Sequence, residues 1–356
     1  MSERKIGLVA TVSIAVVVLV GVSIALLIFD SRTTGADALR TGGLAAGSVV
    51  ALYALWLNDR RRRVEEQRQE VERARHELET RRADLDRDRV ADERFARAVE
   101  LLGHEADQVR VGALHALAGL ARSNPGYIQT VLDVLCSYLR RPFLHPRYGN
   151  AEDNDWSQRE AHLAERKLVI RLTAQRLIAD LLPRADDQDA PQYDLDLTGA
   201  LLEYFDLSDR KVGTLILRYG QLFSSNNFSR SEFHGPVWFT GTSLGSGRIS
   251  GRFYCDDAVF HDRAWFSGVK FHGRVSVERT RFKGPVKFSD SRFTDRTSPA
   301  WAGSVFEGPA DFRTVHFEHD VDLSGATFHG EVQNTGITTN ADREATLPDG
   351  WKAGRA

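Results

Sequence analysis

The sequence predicts a mixed, multi-part fold: an N-terminal helical hairpin suited to a membrane, a long charged helix, a small helical module, and a C-terminal coil built on a five-residue rule. Three observations carry this. Two long apolar runs lie within residues 1–58. Asp59 to Arg97 is then rich in Arg, Glu and Asp and holds no Gly or Pro. Finally, Leu197, Leu202, Leu207, Val212, Leu217 and Leu222 recur at every fifth position, a spacing that fits neither a helix nor a strand. Across 356 residues, 47 basic and 49 acidic side chains leave a net charge of −2, which argues against a globally basic nucleic-acid binder. Two cysteines, Cys136 and Cys255, cannot by themselves build a disulfide framework or a four-ligand zinc site.

Ile6 to Phe29 is an uncharged stretch of Val, Ile and Leu. As a helix it would cover about 36 Å, enough for a hydrocarbon core of roughly 30 Å. Thr41 to Asn58 is a second candidate, opening with small residues and placing Tyr53 and Trp56 near its end, where interfacial aromatics are favoured. A cleaved signal peptide is the competing reading of the first run. The run is too long for a signal core, LLIFDSR lacks a small-x-small site, and a second apolar segment follows at once. Arg4-Lys5 precedes the first segment and Arg60 to Arg63 follows the second, whereas Asp30, Arg32, Asp37 and Arg40 cancel in the loop between them. Positive outer flanks predict a multi-pass protein of the cytoplasmic membrane, with the N-terminus and the bulk of the chain in the cytosol. Gly42, Ala46 and Ser48 offer small residues for close helix contact.

Residues 59–94 read as a semi-rigid helical stalk. Val64, Val71, Leu78 and Leu85 are spaced by seven, but the companion positions are Gln67, Ala74, Arg81 and Asp88, so half of a coiled-coil seam is apolar. A weak homodimer through the stalk and a solvated single helix both remain open. Residues 95–183 form the helical module. Phe95, Ala98, Val99 and Leu102 give the stalk a buried face before Gly103, and Val109, Ala113, Ala116, Leu117 and Leu120 mark a second helix. Asn124-Pro125 starts a third, carrying Ile128, Val131, Leu132, Leu135 and Leu139; Ser157 to Leu182 is a fourth. Paired helices with Ala-rich contacts look like one or two HEAT-type units.

Residues 184–194 are a polar linker, 195–330 the five-residue repeat, and 331–356 a flexible tail. Beyond Phe228 and Phe233 the series continues as Phe260, Phe266, Phe271, Val277, Phe282, Phe288 and Phe293, stepping by six and five. After a gap of thirteen around Ser298-Pro299 it resumes at Phe306, Phe312, Phe317, Leu323 and Phe328. Two residues before each large side chain stands a small or β-branched one, such as Ala258, Ala264, Val275 or Val286. In a narrow coil with five-residue sides, both of these positions point inward. Gly199, Gly241, Gly268, Gly273, Gly284, Gly308 and Gly325 then supply the corners.

TGALLEYFDLSD, SGVKFHGRVSV, KGPVKFSDSRF and LSGATFHG resemble the pentapeptide repeat family. The resemblance spans Leu195 to Gly330 and implies a right-handed quadrilateral β-solenoid with four pentapeptides per coil. Eleven-residue double repeats depart from the strict pattern, and the extra residue is expected to bulge at a corner. The upstream ERFARAVELLG, VRVGALHALAGLAR and VLDVLCSYLRRP resemble the helical region that precedes such repeats in bacterial membrane-anchored members. The expected function is that of a non-catalytic scaffold that presents the solenoid to an unidentified cytosolic protein partner. The alternative, drawn from the best-known members, is a DNA mimic that binds gyrase. Mimicry needs a strongly negative surface, yet residues 195–330 hold 16 acidic and 16 basic side chains. Direct nucleic-acid binding is therefore not expected, and a transporter is disfavoured because neither apolar segment holds an ionisable residue.

No catalytic, cofactor-binding or metal residue is assigned. GTSLG (Gly241 to Gly245) matches G-x-S-x-G, but Leu244 keeps the repeat register, so Ser243 reads as a surface residue. Asn227-Phe228-Ser229 is a chance sequon, and Asp256-Asp257 lacks further oxygen ligands at calcium-loop spacing. His104 and His115 read as structural. His234, His261, His272, His316, His319 and His329 read as scattered solvated side chains.

Overall fold

The computed structural model describes residues 2–29, 34–148, 156–247, 251–294, 297 and 299–355. Asp30, Arg32, Ser298 and half of the polar stretch 147–160 that interrupts the module (residues 149–155) lie outside the described residues, as do the side chains of Arg4, Lys5, Arg63 and Val64. The chain divides into two compact units, Met1–Arg89 and Val90–Ala356.

Two helices dominate the first unit: α1 (Ser2–Phe29) and the leading part of α2 (Gly35–Leu102). Both are long and apolar enough to cross a membrane. They pack through small residues. Ser23 Oγ donates to the Ala38 carbonyl at 3.1 Å, and a Cβ at Gly42 would sit 2.8 Å from the Leu19 carbonyl. Gly42 is thus used inside the hairpin. α2 runs past residues 58 and 94 without a break; no Gly or Pro lies between Ser48 and Leu102 to stop it. Val71, Leu78 and Leu85 are exposed along it.

In the second unit, the end of α2 packs with α3 (Asp107–Ser123), α4 (Ile128–Leu139) and α5 (Gln158–Leu181). Pro125 opens a single 3₁₀ turn before α4, and α5 starts on a capping box between Ser157 and Glu160. Ala113, Leu117, Leu135, Ala174 and Ile178 form the module's core. Leu163, near the start of α5, is 41% exposed.

This module covers the open edge of the first solenoid coil. Gln129 at the start of α4 behaves like a strand residue: its Oε1 accepts from the Asp194 amide and its Nε2 donates to the Asp194 carbonyl, both at 2.9 Å. Arg171 on α5 is buried without a carboxylate at hydrogen-bonding distance among the described residues. Its guanidinium donates to the carbonyls of Leu139 (2.6 Å), Leu201 (2.9 Å) and Arg141 (3.4 Å) and lies over the Phe143 ring. Burial pulls it down to about 10, against the opposing pull of Tyr138 and Tyr148, so it remains a cation near neutrality. Tyr148 stacks on Phe223 at 3.8 Å and donates to the buried Glu203 carboxylate. The linker is also held: Lys211 Nζ donates to the carbonyls of Asp187 and Gln188.

From Leu195 onward the strands stack into four parallel sheets of seven, eight, six and six strands. Face 1 begins at Leu195–Asp196, face 2 at Leu201–Glu203, face 3 at Ser225–Asn227 and face 4 at Lys211–Val212. Leu195 pairs with Leu215, and Val237 with Ala264, so each strand lies beside its counterpart one coil away. The phenylalanines form columns. On face 4 the rings of Phe233, Phe260, Phe282, Phe306 and Phe328 follow one another at 4.6–4.9 Å. That is the inter-strand spacing itself, so strand pairing and ring stacking satisfy the same distance. Several of the small inward positions are Ser or Thr. Thr242 and Thr280 hydroxyls donate to the Leu217 and Cys255 carbonyls of the preceding coil at 2.6 Å, which makes a polar residue tolerable in a dry interior.

The corners are of two kinds. Five-residue steps turn through a left-handed residue, such as Gly268 (φ +66°) or Asp257 (φ +57°). Six-residue steps place the extra residue at a corner where backbones of adjacent coils nearly touch. A Cβ at Gly284 would lie 2.5 Å from Asp262 backbone, and one at Gly308 2.6 Å from Gly284 backbone. Gly273, Gly284 and Gly308 are therefore glycine for lack of room, not for a left-handed turn.

Across the gap in the apolar series after Phe293, Pro299–Ala300 continues face 3 and Trp301, 1% exposed, fills the interior. The flexible tail expected over 331–356 is corrected. Val332–Gln333, Thr338–Thr339, Ala345–Thr346 and Gly354–Arg355 add strands, and Trp351 packs on Phe312 and Phe328. The regular apolar signal fades there, while backbone pairing continues.

Candidate functional site

The inward positions being spent on packing, any chemistry lies on the outer surface. Because coils stack in register, residues 20 to 27 apart in sequence become neighbours one strand apart. On face 4, Glu232 and His234 flank the buried Phe233, so both point outward. Phe260 pairs with Phe233, which sets His261 directly beside His234, the rings stacked 4.2 Å apart. Glu232 Oε2 lies 3.1 Å from His234 Nε2 and 3.4 Å from His261 Nε2. His261 Nε2 is buried and makes no hydrogen bond among the described residues, the carboxylate being close but misaligned. Burial holds His261 below the usual imidazole range, with His234 and Lys283 adding to the effect against Glu232. Lys283 Nζ sits 3.4 Å from His261 Nδ1.

These two histidines are the ones the sequence scattered among six. Three ligand-capable residues converge here, which linear spacing hides, since Glu232 and His261 are brought together by an insertion-bearing coil. The usable signal is register: E-F-H and V-F-H both centre on a column phenylalanine.

Two other surface features stand out. On face 1, Trp238 and Trp265 occupy successive coils, with Arg218 over the first ring at 4.9 Å and Lys287 and Arg263 over the second. At the corners leading to face 4, left-handed Asp209 and Arg230 form a two-bond ion pair, as do Asp257 and Arg279. The arginines' hydrogen bonds hold both carboxyls below the ordinary range.

The residues set aside earlier have structural places. Ser243 lies in a strand paired on both sides, not in a strand–turn–helix elbow, and Leu244 is buried in register. Asn227 Oδ1 accepts from the Ser229 amide, and Asp256 accepts from Ser276 and the Glu278 amide. His104 Nδ1 accepts from the Ala106 amide, while His115 is exposed on α3. Both cysteines are free and buried, and burial pushes their thiols well up.

A family model for pentapeptide repeats, in nine copies, matches residues 256–298. No curated protein and no solved structure matches the chain. The matched segment covers the coils in which the phenylalanine columns, the small inward partners and the alternating corners are most regular. With the same four-sided stacking running through the strands on either side of it, the C-terminal part of the chain is a pentapeptide-repeat solenoid.

Proposed function

We propose that this protein is a membrane-anchored, non-catalytic scaffold that presents its solenoid to a protein partner in the cytosol. The observation that carries the reading is the outer surface of α1 and the start of α2. Val17, Ile28, Leu44 and Leu52 are each at least 67% exposed, and a sleeve of large apolar side chains is stable in lipid but not in water. Arg-rich flanks on the outer ends of both segments favour a cytosolic location for both termini of the hairpin. The solenoid adds long, repetitive, charge-balanced faces, which suit protein contact better than imitation of a polyanion. Ser243, which matches a catalytic pattern, lies in a strand paired on both sides, which supports a non-catalytic role.

Topology is tested by fusing reporters after Ala356. A reporter active only in the cytosol is expected to work and an export-dependent one to stay silent; the reverse pattern refutes the cytosolic placement. Proximity labelling from the same fusion then identifies the neighbouring protein.

A further inference from the structure

We propose that Glu232, His234 and His261 form a site for a first-row divalent cation, Zn²⁺ in particular, that bridges two adjacent coils of the solenoid. The proposal does not depend on how the chain is anchored.

The ligand atoms lie near zinc spacing, and the two stacked imidazoles, both on the solenoid surface, have to rotate off one another for both Nε2 lone pairs to meet one ion. Zinc bound at about 2.0–2.1 Å with tetrahedral angles holds its ligand atoms roughly 3.3 Å apart. Glu232 Oε2 is already 3.1 and 3.4 Å from the two Nε2 atoms, and the three ligand atoms lie within 4.8 Å of one another. Two imidazoles and one carboxylate are donors that first-row divalent ions accept together. The backbone positions are fixed rather than adaptable. Glu232 and His234 share one strand face, and His261 is held one coil away by the Phe233–Phe260 pairing. His261 Nε2 is buried without a hydrogen bond among the described residues, and an ion placed between the three atoms would give it a partner once the ring proton moves to Nδ1. Three protein ligands leave a fourth position for water or for a donor on another molecule.

One residue opposes binding in a testable way. Metal bound at His261 Nε2 requires the proton on Nδ1, which then needs an acceptor, but Lys283 presents an ammonium there. Lys283 is exposed and can swing out, so it weakens the site without closing it.

The test uses full-length protein in detergent, titrated with Co²⁺ as a visible-absorption probe and then with Zn²⁺ in competition. One Co²⁺ per chain is expected, showing the strong visible bands of a low-coordinate ion and displaced by Zn²⁺. His234→Ala with His261→Ala should weaken binding by roughly a hundredfold or more, with unchanged circular dichroism because both side chains lie outside the core. Lys283→Glu, which keeps all three ligands, should tighten binding about tenfold by giving Nδ1–H an acceptor. Binding retained in the double variant would place the ion on other histidines and overturn the proposal. So would sub-stoichiometric binding by the unaltered protein, or a Lys283→Glu protein that binds no more tightly.

Discussion

Phe271 is 1% exposed and stacks on Phe293 at 4.4 Å, whereas its neighbour Lys270 points to solvent. Phe271→Asp should cost at least about 3–5 kcal/mol for the lost ring and more for a buried charge, so the purified protein should lose its cooperative denaturant transition. Lys270→Asp should leave the midpoint nearly unchanged, and equal sensitivity at the two positions would refute the inward register. Gly308→Ala tests the crowded corners. Its Cβ would meet Gly284 backbone at 2.6 Å, so the midpoint should fall although alanine is compatible with the local φ. At this scale the sequence is legible where large and small residues alternate, because each apolar column repeats one chemical type. It is less legible on face 3, whose interior mixes Leu207, Phe228, Cys255, Val277 and Trp301. Different shapes there fill the same column, and a search for one residue type breaks at each change. The Glu232–His234–His261 cluster was illegible for a related reason: the insertion after Leu244 must be known before the register can be read.

Among the elements, α5 meets the first coil through Arg171 and through Gln175, whose Oε1 accepts from the Glu203 amide at 3.2 Å. Arg171→Met keeps the length of the side chain but removes donors from the Leu139 and Leu201 carbonyls. Each buried carbonyl left unpaired costs about 1–3 kcal/mol, so denaturant unfolding should shift by several kcal/mol, with Arg171→Lys intermediate. The corner ion pairs act differently with pH. Asp209 and Asp257 have folded-state values below the unfolded carboxylate value of about 3.9, so their contribution is complete above roughly pH 5. It is lost as pH falls through the folded values. Thermal melts of an Asp209→Asn, Asp257→Asn double variant should therefore approach those of the unaltered protein below pH 3 and differ most at pH 6–7. A constant difference at every pH would mean that the charges do not matter. Helix ends were legible from caps and prolines, as at Ser157 and Pro125. The cap of the solenoid was not, because Gln129 does a strand's work from a helix.

For the molecule as a whole, the unsettled property is assembly. Val71, Leu78 and Leu85 are 68%, 56% and 62% exposed, an apolar line at heptad spacing with charged residues between. Confinement to a membrane would raise local concentration enough for a weak seam to pair. Cysteine cross-linking at exposed stalk positions should capture a homodimer in native membranes, and replacing Val71 and Leu78 with Glu should abolish it while the solenoid stays folded. Absence of cross-links in the unaltered protein would leave the stalk a spacer. The division of the chain into apolar, charged, helical and repetitive parts was legible from composition alone. The run of the stalk helix on to Gly103 was legible from the absence of Gly and Pro, whereas its continuity with the apolar segment before Asp59 was not, since a composition change carries no backbone signal.

Among the described residues every strand pairing in the solenoid joins residues 16 to 27 apart, from Thr338 with Gly354 to Val237 with Ala264, and the helical cap precedes the first coil in the chain. No strand waits for a partner synthesised much later. As the polypeptide leaves the ribosome, each emerging coil finds its template complete behind it, beginning with the edge that Gln129 and Arg171 prepare. The order of translation and the order of stacking coincide, so the chain can acquire its structure while its own messenger is still being read.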